Sequence, residues 1–440
     1  MLWLLGAQIG ILFRMNNAAL DLAIEEYSLP NGLHVILHHD PAVPVVAVEV
    51  MYHVGSKNES PGRTGLAHLF EHMMFKGSQN VPDGEHFRRL QAIGGYVNGS
   101  TNEDRTNYYQ LVPAEYLDLA LFLEADRMGF LLPALTQEKL DNQRDVVRNE
   151  RRQSYENQPY GLAHETLLGA LYPPAHPYHW PVIGSMEDLA RATMDDVSRF
   201  FQTYYAPNNA CLAVAGNFIP DAARKSIARL FGILPSGPPV VHPAIAPVQN
   251  VEQRIVTLPD AVQLPRLYSA WHSDRWNTRE DALMDVCTDI LNEGKNSRLY
   301  RSLVIEQQIA QTVVAYQHGL EQTGRTVLQI TPQPGHSLDE VHVSALSIID
   351  QFLAEGPTEH EVQKSVNMKK SHHVHGLAGM LQRADGLASC HTLGGSAGLL
   401  LAYLERFEGI TPSEVRECAA RIFRQPPVVL SVVPNGKGAV

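Results

Sequence analysis

Residues 65–77 read GLAHLFEHMMFKG, and within them His68 and His72 stand four positions apart. On an α-helix of 3.6 residues per turn, that spacing puts two imidazoles on one face, about one turn apart, as a two-point clamp for a metal ion. Glu71 lies beside them, within reach of a water that such a metal would hold, where a carboxylate can act as general base. A His-x-x-Glu-His pattern fixes only three positions. It also fits two core histidines bonded to backbone carbonyls next to an unrelated glutamate. Leu66, Leu69, Phe70, Met73 and Met74 are distributed around most of the helix predicted over 62–77, so the helix reads as buried. Imidazoles and a carboxylate in such a place need partners, and a metal satisfies all three.

Other elements must supply a third ligand and a surface for substrate. Periodicity predicts helices over 116–130 and 137–155. The second contains Leu140, and on it Glu150 sits at the edge of an apolar seam formed by Val146 and Val147, where an acid can turn inward as a ligand or remain on the surface. A short helix over 85–93 ends at Gly94-Gly95, a C-cap signal. Strands are predicted over 96–101 and 105–112, joined through Asn102-Glu103-Asp104. The first contains Gly99 and short polar side chains, which would let another backbone approach, so at a sheet edge it could hold an extended peptide; an ordinary solvated hairpin fits the same residues. Residues 33–37 and 45–54, separated by Asp40-Pro41 and Pro44, read as a pair of strands joined by a turn. Residues 210–215 read as a strand and 222–231 as a helix.

The chain has 440 residues, enough for two to four domains, and 44% of them are apolar, as in ordinary globular proteins. A formal net charge of −12, from 47 acidic and 35 basic residues, argues against nucleic acid as a partner. Cys211, Cys287, Cys390 and Cys418 lack Cys-x-x-Cys spacing and have mostly apolar neighbours, which points to buried free thiols. The apolar run 1–13 is too short to span a bilayer, and no integral span is expected. It resembles the core of an export signal, but Arg14 follows it and Met15 is an alternative start, so both a periplasmic and a cytoplasmic location stay open. His176 and His179 lie in a Pro-punctuated loop and read as structural. His372, His373 and His375 read as an exposed helix face with no acid in register.

The second half repeats the first. Residues 285–294 (DVCTDILNEG) align without a gap on 68–77 (HLFEHMMFKG), with Asp285, Thr288 and Asp289 in place of the histidines and glutamate; 426–433 parallel 207–214. This predicts an α+β protein of two similar tandem α/β domains, each an antiparallel-rich sheet with helices packed on it. The expected divisions are 1–23 as an extension or degenerate signal, 24–233 as the domain carrying the motif, 234–252 as a Pro-rich linker, and 253–440 as the copy without it.

Taken in order, residues 29–33 (LPNGL), 65–77, 94–101 (GGYVNGST), 144–150 (RDVVRNE) and 176–178 (HPY) resemble the pitrilysin, insulysin and mitochondrial processing peptidase family of inverzincin metallopeptidases, in particular its short bacterial branch. The resemblance covers nearly the whole chain from about residue 25. It implies one half of a clamshell endopeptidase for unfolded peptides, with one zinc ion bound by His68, His72 and Glu150, the last 78 residues after His72, and Glu71 as the catalytic base. It makes Asn98, Gly99 and Ser100 candidates for holding substrate backbone. It also implies two departures. Gln143 stands where many members have a second glutamate, and Val304 and Gln311 stand where a homologous unit supplies an Arg and a Tyr that grip substrate. The missing pair predicts a dimer, preferably with a zinc-less paralogous subunit. A non-catalytic core-type homologue is the competing expectation.

Overall fold

A computed structural model describes residues 22–242, 245 and 248–436. The apolar run 1–13 and both candidate starts lie outside them, as does part of 234–252, whose described residues carry neither helix nor strand. Two sheets organise the described chain. The first contains β1 (Glu25–Ser28), β2 (His34–His39), β3 (Val45–Tyr52), β4 (Tyr96–Thr101), β5 (Thr106–Pro113) and β6 (Ala210–Gly216), in the order β1-β2-β6-β3-β5-β4. The second contains β7 (Arg254–Asp260), β8 (Arg266–Ser273), β9 (Ala310–Gly319), β10 (Gly324–Pro332) and β11 (Val428–Pro434), in the order β7-β11-β8-β10-β9. The chain is thus a mixed α/β protein with tandem sheets.

The expected pairing of β2 with β3 does not occur. β6 lies between them, parallel to β2 and antiparallel to β3. Its seven residues, ACLAVAG, are all buried, and a strand apolar on both faces is suited to a sheet interior rather than an edge. The second sheet repeats this insertion, with β11 parallel to β7 and antiparallel to β8. The structural copy of the motif helix is the Arg279–Asn292 helix, on which Asp285 and Asp289 face Lys369 Nζ at 3.6 and 3.1 Å. An ammonium neutralises the acids there.

Each half has its own core, and each also packs a helix on the other half's sheet. The Met380–Gly394 helix covers the first sheet, placing Met380, Ala384 and Leu387 against Ile36, Ala47 and Ala213. The Ala163–Leu171 helix covers the second, placing Leu167 and Leu171 against Val428, Leu430 and Val432. No single described helix is long and apolar enough to cross a membrane; only Met380–Gly394 with Leu399–Phe407, bent by 96°, passes as a pair, and the longer of the two is packed against the first sheet. All four cysteines are buried free thiols.

Candidate metal site and substrate edge

The helix carrying the motif spans Leu66–Met73, shorter than the expected 62–77. It starts at Gly65, whose φ of 85° is the left-handed region that glycine enters without strain. Gly184 presses on it so closely that a Cβ there would come within 2.4 Å of Gly65. Glu59 completes the start: the Gly65 and Ala67 N–H groups donate to its two carboxylate oxygens at 2.9 and 2.7 Å, satisfying donors that a helix end leaves open. Burial pushes this carboxyl up to about 8, while the two backbone donors pull it down. Leu69, Phe70 and Met73 anchor the helix in the core, leaving His68, Glu71 and His72 on a half-buried face.

Glu150 reaches this face from the Gln137–Arg151 helix. Leu140, Gln143 and Val147 form its buried side, one helical face with Glu150; Val146, expected in the seam, is exposed. Arg151 fastens the end of this helix, donating to the Gly184 carbonyl at 2.7 Å and to Glu165 at 2.8 Å. The Glu150 oxygens lie 3.7 Å from His68 Nε2 and 3.4 Å from His72 Nε2, and one ligand atom from each of the three residues lies within 4.8 Å of the others. Zinc bonds of about 2.1 Å at tetrahedral angles place ligand atoms roughly 3.4 Å apart, so two nitrogens and a carboxylate in this arrangement fit the ion. Burial and the neighbouring His72 push His68 down to about 4, leaving a neutral ring with a free lone pair, and contacts with His72 and His68 hold Glu150 below the usual carboxylate range.

Glu71 lies between the helix and β4, where burial raises its carboxyl above the ordinary value against the pull of Thr101 and His72. The Thr101 hydroxyl donates to Glu71 Oε2 at 2.5 Å. Sequence reasoning placed Thr101 in the strand without a role. The period of two would have found it, since Val97, Gly99 and Thr101 share one face of β4, the face turned to the motif helix.

β4 is an edge strand, as expected. Its candidate residues divide. Asn98 is exposed and lines a cavity of about 550 Å³ with His72, Phe75, Phe87 and Gln143. At Gly99 a Cβ would meet Tyr108 at 3.1 Å, the Asn107 carbonyl at 3.2 Å and Phe75 at 3.3 Å, so the glycine makes room for neighbours within the protein, the β5 backbone among them. The Ser100 hydroxyl donates to Asn107 Oδ1 at 2.7 Å, and its carbonyl accepts from Arg105 at 2.9 Å.

On the other side of the metal face lies a cavity of about 590 Å³, bounded by His68, Thr101 and Glu150 from the first half and by Tyr316, His318 and Arg325 from the second. Ion pairs and hydrogen bonds tie the halves together, and the pair of Glu103 with Arg325 borders this cavity. Glu321 pairs with Lys57 and accepts from His53 at 2.8 Å, Asp104 accepts the Glu321 N–H at 2.9 Å, and Arg325 meets Glu103 at 3.1 Å. Val304 and Gln311 do not border either cavity. Gln143 donates to Asn142 at 2.7 Å. Among the other histidines, His373 stacks on Tyr403 at 4.6 Å, and His176 stacks on Tyr172 at 4.5 Å.

Tandem α/β halves with a His-His-Glu cluster on one of them define the class, and comparison with known proteins gives the family. Residues 34–175 match the model described as insulinase (peptidase family M16), and residues 191–369 match the peptidase M16 inactive domain. The chain belongs to peptidase family M16. It is 27% identical over 395 residues to the zinc protease PqqE of Helicobacter pylori, covering 88% of this chain and 85% of that protein. It is 25% identical over 311 residues to a probable mitochondrial processing peptidase subunit beta of Arabidopsis thaliana, covering 68% and 57% of the two chains. Among solved structures, a protease from Helicobacter pylori superposes with a TM-score of 0.87 at 25% identity, over 94% of this chain and all of that one. An M16 inactive domain from Pseudomonas fluorescens gives 0.83 at 18%, over 94% and 98%, a likeness of fold.

Proposed function

We propose that this protein is a zinc-dependent endopeptidase acting on peptides or unfolded polypeptides, and that this chain is the metal-carrying half of the enzyme. The observation that carries the reading is the convergence of His68, His72 and Glu150 from two helices, with Glu71 beside them on the first. Zinc, when bound, supplies a Lewis acid that polarises a carbonyl and lowers the pKa of water toward about 7. His68, His72 and Glu150 hold it. Glu71 takes the proton of the attacking water on its carboxylate and returns it to the leaving amine, with Thr101 fixing the carboxylate's direction. The free edge of β4, from Asn98 to Ser100, pairs with an extended substrate backbone, and the cavities on either side receive side chains.

A second subunit, preferably a zinc-less paralogue, supplies the Arg and Tyr grip that Val304 and Gln311 cannot. The competing reading, a non-catalytic framework protein, draws on the match to the inactive domain. That match falls largely on the half in which Asp285 and Asp289 replace the histidines.

The test is metal analysis together with cleavage of an unfolded polypeptide, with and without the paralogous subunit. One zinc per chain, weak cleavage alone and strong cleavage with the partner are expected. Full activity of the isolated chain refutes the need for a partner. Glu71→Gln should retain zinc and lose roughly 10²–10⁴ in kcat; near-normal turnover removes Glu71 as the base.

A further inference from the structure

Arg325 is the most deeply buried cation bordering the larger cavity, with 3% of its side chain exposed. Glu103 engages Nη2 at 3.1 Å, while Nε and Nη1 have no hydrogen-bond partner in the protein. A buried guanidinium with two unanswered donors is costly, and it calls for an acceptor that occupies the space beside it. Around it stand His318, its cross-strand partner on β9, and His164, together with Tyr316 and the buried Tyr172, whose hydroxyl also has no hydrogen-bond partner in the protein. Burial and the charge of Arg325 hold both imidazoles below their ordinary value, so near neutral pH they add no charge of their own. The acids at the rim are Glu103, bound to Arg325, and Glu150, turned to the histidines of the metal face. The cation is supplied by the second half of the chain, the half without the metal ligands.

We propose that Arg325 makes this cavity a carboxylate-binding subsite, which receives an acidic group of the substrate beside the bond to be cut. The proposal rests on the peptidase reading and deepens it. Arg325 is a specificity-determining residue, since it lies beside the metal face and not on the motif helix. The carboxylate is either an Asp or Glu side chain or the free C-terminus of a short peptide.

The test uses wild-type chain, with its partner subunit if activity requires one, and a peptide series carrying Asp, Asn or Lys in turn at each position flanking the cleaved bond. Each peptide is made as the free acid and as the amide. At one position, kcat/KM for Asp should exceed that for Asn by about tenfold or more, as a charge-assisted hydrogen bond provides. Preference for the free acid at one fixed distance, with no side-chain preference, identifies the C-terminus as the source. Equal rates for Asp, Asn and Lys everywhere, and for acid and amide, overturn the subsite while leaving the peptidase reading intact; no cleavage of any peptide by zinc-loaded enzyme overturns both. In Arg325→Gln the preference should fall to about one. The double variant Arg325→Gln/Glu103→Gln removes the pair without stranding a charge, and retention of the Asp preference in that folded protein overturns the assignment.

Discussion

The hydroxyl of Thr101, the last residue of the edge strand, donates to Glu71 Oε2 across the gap between β4 and the motif helix. The strand proposed to hold substrate therefore also aims the group proposed to move the proton. Thr101→Val should lower kcat about tenfold, in line with the loss of one hydrogen bond to a charged group, with KM little changed and zinc content intact. Thr101→Ser should restore most of the rate. A fall in KM and kcat together, unrelieved by serine, assigns Thr101 to packing instead.

Glu59 caps the motif helix from outside the motif. A carboxamide at this place can accept at one oxygen only, so Glu59→Gln should cost about 1–3 kcal/mol of stability. The His68–His72 clamp sits within the first two turns after the cap, so zinc affinity should weaken as well. Thermal unfolding and competition with a chelator measure the two effects; unchanged affinity in a destabilised variant confines Glu59 to folding.

Glu321 gives the contact between the halves a pH dependence. Burial raises its carboxyl, but bonds with His53 and Lys57 outweigh this and hold it at about 2, below the usual 4.5. An acid with a depressed folded-state pKa stabilises fully above its unfolded value and loses that contribution as pH falls through the folded one. Glu321→Gln should therefore be less stable than wild type by on the order of 2 kcal/mol above pH 5, with the difference shrinking between about pH 4.5 and 2. A difference that is constant across this window rules out the ion pair as its source.

Metal binding to the folded chain alone stabilises it by mass action. Zinc at about a hundred times its Kd should add roughly 2.7 kcal/mol to wild type, and His72→Ala or Glu150→Ala should lose most of that gain. Calorimetric melts with and without zinc decide it. An undiminished shift in both variants places the ion elsewhere.

Much of this arrangement is written locally. The spacing of His68 and His72 and the helix end at Gly94-Gly95 are short-range signals that each segment carries by itself, whereas the start at Gly65 lies inside the helix expected over 62–77. Glu150 was legible only as an acid at the edge of a seam, and the seam proved to run through Gln143 and Val147 with Val146 outside it. The duplication was readable because aligned residues keep the apolar pattern, and β6 and β11 enter their sheets alike. Sequence did not reveal which strands β6 separates, nor that Arg325 stands some 175 positions from Glu150 yet borders the same cavity. Those facts depend on tertiary docking, for which neither residue carries a local signature. The neighbours of Gly99 were hidden for a related reason: a missing side chain shows that something is close, and only the fold shows that this includes Tyr108, the Asn107 carbonyl and Phe75.

The exchanged helices limit how the two halves of the chain can move. Because Met380–Gly394 lies on the first sheet and Ala163–Leu171 on the second, parting the halves of this chain would strip both sheets of cover at once. The burial lost would be that of two apolar helix faces, so a hinge between the halves is not a low-energy coordinate. If the chain is half of a two-subunit peptidase as proposed, a long substrate would be admitted and released at the seam with the second subunit. Turnover on long polypeptides would be governed by the lifetime of that assembly, and a covalent link between the two subunits would slow such substrates while sparing short peptides.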